Sequence, residues 1–404
     1  MQCARCADCA VNPEDRTISG NLLKSLRRAA RQAPESGIVA VMDYGRDRDG
    51  MIPLWAGEGD LPTPDFICRA AARSLEKGET FYTWQRGLPE LRQALAEYHA
   101  RQFGRPFFPD RFVVTGSGMQ AIQIAIAAVA GAGDEVIIPT PAWPNFSAAL
   151  GVAGAIAACV PVRLEGEGWV LDPATIAAAI GPQTRALFIN SPANPTGWTA
   201  SRDELRDILA LARRHGLWII ADEVYNRFVH AGIRAASFYD VAEPEDRILF
   251  VNTFSKNWAM TGWRIGWISA PPELAGVLEN LIQYSTSGVA AFMQRAAIVA
   301  LNEGEEFVER QIARARAGRD VVCTALAGSD RVKFAWPAGA FYLFFSIDGE
   351  ADTAGLGLRL VDEANIGLAP GTAFGPGGEQ FMRICFARRA DDLAEAMRRL
   401  MAWL

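Results

Sequence analysis

The sequence predicts an α/β protein in which a mainly parallel, seven-stranded sheet is sandwiched by helices, with a smaller α+β unit built from the two ends of the chain. Three observations predict it. Short β-branched and aliphatic runs recur from Phe112 onward, and they alternate with stretches whose apolar residues fall at helical spacing. Runs of that kind suit strands buried on both faces, the condition inside a sheet of βαβ units. The chain is also long enough, at 404 residues with half of them hydrophobic, to bury one large core and a second smaller one.

Taken in order, Leu22, Leu23, Leu26 and Ala30 are spaced as an amphipathic helix. The seven strand runs are Phe112–Thr115, Glu135–Pro139, Ile156–Val162, Ala186–Asn190, Trp218–Ala221, Ile248–Asn252 and Arg264–Ser269. Between them, Met119, Ile122, Ile126 and Val129 mark one helix, and Leu205, Ile208, Leu209 and Ala212 another. Towards the carboxyl end, Gly339–Phe345 and Phe381–Phe386 read as strands of an α+β unit. The expected organisation is a tail over 1–20, a small domain from 21–64 and 296–404, and a large domain over 65–295.

Composition excludes several function classes. A formal net charge of −6 argues against a nucleic-acid surface, which needs a basic excess to neutralise phosphates. No run of about 18 apolar residues exists to span a bilayer, and the amino terminus lacks the apolar core of a signal peptide. Cytoplasm is the expected compartment. Seven cysteines without a secretory context predict free thiols. Cys3, Cys6 and Cys9 are spaced C-x-x-C-x-x-C, but no fourth ligand stands nearby, so they read as part of a disordered tail and no metal is expected.

The chemistry centres on Lys256. Thr253-Phe254-Ser255-Lys256 runs into Met260-Thr261-Gly262-Trp263-Arg264, which places one amine, two hydroxyls and one guanidinium close together in sequence. An ε-amine condenses with a carbonyl, while hydroxyls and an arginine beside it hold a phosphate; the grouping suits a phosphorylated aldehyde. Only four of the chain's 40 basic side chains are lysines. This stretch resembles the Schiff-base segment of pyridoxal-phosphate enzymes of fold type I, the class I/II aminotransferases of the aspartate aminotransferase superfamily. Such a cofactor also needs a phosphate cradle, a partner for its ring nitrogen, a stacking surface and a clamp for the substrate carboxylate.

Each has a candidate. Val113-Val114-Thr115-Gly116-Ser117-Gly118-Met119 is a strand, a turn of small residues and a helix start, where free N–H groups and the helix dipole favour a phosphate. The resemblance implies that Ser117, Gly118 and Met119 hold it opposite Thr253, Ser255 and Arg264. Asp222 ends an apolar strand, where ligands of doubly wound sheets bind. Paired there with the pyridine nitrogen it would keep that nitrogen protonated, with Tyr225 reaching the ring hydroxyl; the plain alternative is a capping acid beside a packing tyrosine. Asn194 sits in Asn190-Ser191-Pro192-Ala193-Asn194-Pro195-Thr196-Gly197, a turn stiffened by two prolines, and the family pattern gives it contacts to both cofactor and substrate carboxylate. Trp143, one of eleven tryptophans, lies just beyond a strand end where the family carries a stacking aromatic.

On the substrate side, Arg383 in Phe381-Met382-Arg383-Ile384-Cys385-Phe386-Ala387 is similar to the family's carboxylate-binding arginine. Gly57, in Trp55-Ala56-Gly57-Glu58-Gly59-Asp60, matches a glycine that approaches the substrate, with Gly59 standing where a proline is common. Tyr82 resembles a tyrosine that reaches the phosphate of a neighbouring subunit, which implies a homodimer with shared sites. Thr253 and Met119 depart from the residues usual at their places, yet a hydroxyl and a backbone amide survive. These matches imply a transaminase that moves an amino group between an L-amino acid and a 2-oxo acid, ping-pong, through a Lys256 aldimine of pyridoxal 5'-phosphate, with Lys256, Asp222, Tyr225 and Trp143 as the catalytic set. A lyase acting by β- or γ-elimination or ring closure shares the α-proton step and stays open; a non-catalytic effector-binding domain is the third reading. Arg86 is a candidate second cation for a dicarboxylic substrate, and Trp84, Tyr342 and Phe374 are candidates to line an apolar pocket.

Overall fold

Apolar runs too long to leave one side in water decide the centre of the molecule. The computed structural model describes residues 22–404. Eight strands form one sheet: β1 (Phe112–Thr115), β2 (Glu135–Thr140), β3 (Ile156–Glu165), β4 (Gly168–Leu171), β5 (Thr184–Asn190), β6 (Trp218–Asp222), β7 (Ile248–Thr253) and β8 (Gly266–Ser269). Their order is β1-β8-β7-β6-β5-β2-β3-β4. The run from β7 to β3 is parallel, β8 is antiparallel to both of its neighbours, and β4 is antiparallel to β3.

Seven of these strands match the expected runs; β4 is an addition. It is the return arm of an edge hairpin with β3, only four residues long, in which Trp169 and Leu171 are buried and Val170 is exposed. So short a run gives too little periodicity to stand out in sequence. Arg264 is a second departure, because the backbone there is left-handed (φ 53°) and the strand starts two residues later.

Alternate strand residues feed two cores, one on each face. Val136 and Ile138 join Ile122, Ile126 and Phe146, whereas Ile137 between them joins Leu187, Leu205, Ile208 and Ile219. The helices that cover the faces start and stop where local chemistry dictates. Ser201 and Glu204 form a capping box at the head of Arg202–His215, and Gly216 ends it in the left-handed conformation at φ 65°. That helix buries Leu205, Ile208, Leu209 and Ala212, the predicted stripe.

A second sheet, β9 (Val332–Phe334), β10 (Tyr342–Ile347), β11 (Ala369–Pro370) and β12 (Phe381–Cys385), is antiparallel in the order β9-β10-β12-β11. Helices Glu305–Leu326 and Ala390–Trp403 share a core with it through Val308, Val322, Leu393 and Leu400. The early segment Ile52–Pro53 pairs in parallel with Ile366–Gly367, which ties the two ends of the chain together. Gly367 is required there, since a Cβ would lie 1.9 Å from the Trp55 ring.

The expected helix through Leu22, Leu26 and Ala30 is not one element. Leu22–Ser25 and Arg28–Arg31 are separate four-residue turns, with Leu22 and Leu26 exposed. Among the described residues nothing covers those leucines, and turns this short gain little from propagation. Most of the proposed tail, with Cys3, Cys6 and Cys9, lies outside the described residues. Among the described residues no helix is long and apolar enough to cross a membrane.

Candidate active site

Because β1, β2, β5, β6 and β7 all point the same way, their carboxyl ends deliver side chains to one place. A cavity of about 390 Å³ lies there, in the usual range for small-ligand sites. Gly118 and Met119 follow β1, Trp143 follows β2, Asn194 follows β5, Asp222 and Tyr225 come from β6, and Thr253, Ser255 and Lys256 from β7. Gly57, Arg264, Tyr342 and Arg383 complete the wall from other parts of the chain.

Lys256 donates from Nζ to the carbonyl of Gly57 at 2.8 Å and lies 6.0 Å from the centre of the Tyr225 ring. Burial lowers its pKa to about 8, because a charged ammonium loses its water there. Asp222 shows the converse. It is 3% exposed, its carboxylate accepts one N–H, from Val224 at 3.3 Å, and burial raises its pKa to about 7 against the opposing charge of Lys256. An acid in that position lacks a cation bonded to it. Tyr225 and Tyr342 share a 2.7 Å hydrogen bond between hydroxyls, and burial holds both phenols protonated.

Arg383 is 1% exposed and has no carboxylate partner among the described residues. Its guanidinium donates to Asn194 Oδ1 at 3.0 Å and to the Trp55 carbonyl, while Nε stays unpaired. The rings of Tyr342 and Phe374 sit 4.7 and 4.9 Å from it. Removing one side chain's water without supplying a counter-charge is costly, so a buried cation in this state is built to meet an anion. By taking that bond through its oxygen, Asn194 keeps its amide NH₂ to offer elsewhere.

At the other end, the Thr253 and Ser255 hydroxyls are 2.9 Å apart, and Arg264 lines the cavity with one donor on the Thr261 carbonyl at 2.6 Å. The helix Gly118–Val129 begins there. A Cβ on Gly118 would come within 3.2 Å of Thr253 Cβ, and one on Gly266 within 2.7 Å of the Asn252 carbonyl and 2.9 Å of the Gly118 nitrogen. Only glycines allow this close seating of helix start against strand.

Residues 49–400 match the family model for aminotransferase class I and II. The chain belongs to the class I and II aminotransferases. It is 35% identical to the aspartate aminotransferase of Pyrococcus horikoshii, over 90% of this chain and 93% of that one. Among solved structures, a single mutant of Thermus thermophilus aspartate aminotransferase is similar with a TM-score of 0.87 and 34% identity, covering 94% of this chain and 99% of its own. The N-succinyldiaminopimelate aminotransferase of Mycobacterium tuberculosis gives 0.88 and 28%, covering 94% and 100%. This aminotransferase is accordingly a pyridoxal-phosphate-dependent transaminase.

Its residues fit that cofactor. An amine with a lowered pKa, a buried acid lacking a bonded cation and a helix start facing two hydroxyls and a guanidinium are the donor set that an aldehyde, a pyridine nitrogen and a phosphate require. Two expected residues stand apart. Ser117 is buried behind the cavity wall and spends its oxygen capping the helix, accepting from Gln120 N at 2.9 Å. Tyr82 is 92% exposed and lines a separate surface recess. Trp84 and Arg86 are also absent from the cavity; the Arg86 guanidinium donates to the Asp110 carbonyl at 2.6 Å. Sequence reasoning missed Ser36, Ile38 and Val39, which reach the cavity from the helix Gly37–Gly45 and its cap. Their residue types carry no chemistry, so the Ser36 cap was the one available signal.

Proposed function

We propose that this aminotransferase transfers the amino group of an L-amino acid to a 2-oxo acid in a ping-pong cycle, with Lys256 as both tether and proton carrier. The observation that supports it most is the placement in one cavity of Lys256, an acid with no bonded cation, Asp222, and a guanidinium with no carboxylate partner among the described residues, Arg383.

When bound, pyridoxal phosphate supplies an aldehyde for the amine and a protonated pyridine ring that delocalises the electron pair left by the α-proton. Asp222 would serve the ring nitrogen, where a cationic partner would favour its ionised form and the carboxylate would keep the nitrogen protonated. Gly118 and Met119 amides, the Thr253 and Ser255 hydroxyls and Arg264 would hold the phosphate, with Ser117 supporting them as the helix cap, and Trp143 would supply an aromatic surface for the ring. Tyr225, kept protonated, would donate its phenolic hydrogen to the ring oxygen, joined by the Asn194 amide. Arg383 would grip the substrate α-carboxylate, since no carboxylate among the described residues neutralises it. Lys256, whose pKa burial lowers to about 8, would, once released from the cofactor, be the group that takes up the substrate α-proton and hands it on.

The same reading makes the enzyme a cytoplasmic homodimer, with a small domain from 21–64 and 296–404 and a large one over 65–295. Exposure of Tyr82 together with Phe81, Trp84 and Tyr284 supports a partner surface, and Tyr82 is the residue assigned to the neighbouring phosphate. Borohydride reduction of the holoenzyme followed by peptide mapping tests the tether. A label on the Lys256 peptide is expected; a label elsewhere, or none, ends the proposal.

A further inference from the structure

We infer, resting on the site reading above, that the amino acid taken by this enzyme carries an uncharged apolar or aromatic side chain, and that dicarboxylic amino acids are disfavoured. A second carboxylate brought out of water into the cavity needs a cation or a full set of donors. Among the described residues that line it, the cations are Lys256, Arg264 and Arg383. All three are committed, to the tether, the phosphate and the α-carboxylate.

What is left of the lining is largely apolar: Ile38, Val39, Ile122, Val251 and the side chain of Met119. Asn145 and Asn190 add neutral amides, and the acid in the wall, Asp222, would repel a second carboxylate. Arg86, the cation that could have served, is turned to the Asp110 carbonyl outside the cavity. The recess around Tyr82, the residue assigned to the partner's site, brings no cation either, since it is formed by Thr80, Phe81, Thr83, Thr286, Ser287 and other neutral residues. An uncharged side chain gains contact on this wall without leaving an ion unpaired. Overall similarity to enzymes named for aspartate therefore does not extend to the side-chain end of the site.

The test uses the holoenzyme and a panel of L-amino acids, following loss of the cofactor's visible absorbance and its recovery with the matching 2-oxo acid. Leucine, methionine or phenylalanine should react with kcat/KM at least about tenfold above aspartate and glutamate, from the value of a hydrogen-bonded charge. Along the straight-chain series from alanine to norleucine, kcat/KM should rise by about fourfold per methylene. Met119→Lys, which adds a cation to the half-buried lining, should move the aspartate-to-leucine ratio by about tenfold or more towards aspartate; Val39→Arg on the Gly37–Gly45 helix is the second variant if the first does not fold. Aspartate or glutamate reacting as well as the best uncharged substrate overturns this inference and leaves transamination standing. No shift in either folded variant overturns the assignment of the apolar wall. Failure of every amino acid to bleach the holoenzyme sinks the site reading itself.

Discussion

Lys256 and Asp222 are held in states that the empty fold does not favour. Burial lowers the lysine from 10.5 to about 8 and raises the acid from 3.8 to about 7. The sign for Lys256 follows from proton counting: below pH 8 the unfolded chain and the native chain both carry the ammonium, but the native one holds it out of water, and the penalty fades only as pH climbs from 8 to 10.5. Lys256→Met should therefore raise the stability of the cofactor-free protein at pH 7 by about 1–3 kcal/mol while abolishing transamination. Chemical denaturation at pH 7 and pH 10 measures it; a loss of stability at pH 7 contradicts the argument. A kinetic consequence accompanies this one. The rate at which cofactor-free protein captures pyridoxal phosphate should rise through a transition near pH 8, as the amine becomes neutral, instead of near 10.5. Stopped-flow absorbance across pH 6–10 reads it directly.

Strand ends and helix starts set the precision of the cradle. Gly266 opens β8 directly beneath the start of the helix Gly118–Val129, where a methyl group would meet three backbone atoms within 3 Å. Gly266→Ala should cost about 1–3 kcal/mol by overpacking and weaken cofactor binding, because the backbone it displaces is the helix start proposed to hold the phosphate. Gly276→Ala is the matched control. It lies in the helix Ala275–Gln283 with nothing within 4 Å of the new methyl group, so a gain of about 0.4–1 kcal/mol is expected from the less flexible unfolded chain. Thermal unfolding and cofactor titration of the two variants separate local collision from a general effect of alanine. Most of these elements were legible in sequence, since short apolar runs such as Ile219-Ile220-Ala221 recur between stretches of helical spacing. The edge arm β4 and the left-handed turn at Arg264 were not, because four residues give no period and a positive φ on arginine leaves no mark in composition.

At the scale of the whole molecule, the site joins segments far apart in the chain: Gly57 to Lys256 through a hydrogen bond, Asn194 to Arg383 through another. The homodimer proposal adds Tyr82 from a second copy. Mixing Lys256→Ala chains with Tyr82→Ala chains tests this, because each hybrid dimer contains one site with both native residues. Recovery of up to roughly a quarter of native activity is expected from random pairing, and none if each chain completes its own site.

The sequence by itself determined the alternation of strand and helix, the residues proposed to meet the cofactor, and their order along the chain. Those properties depend on local patterns and on side-chain chemistry, both of which can be read without coordinates. Only the tertiary structure decided that Arg383 is buried without a counter-charge, that Ser117 caps a helix behind the wall, and that Ile38 and Val39 stand where Arg86 and Trp84 do not. Burial and proximity arise from packing between distant segments, and no local pattern records which neighbour a side chain will find.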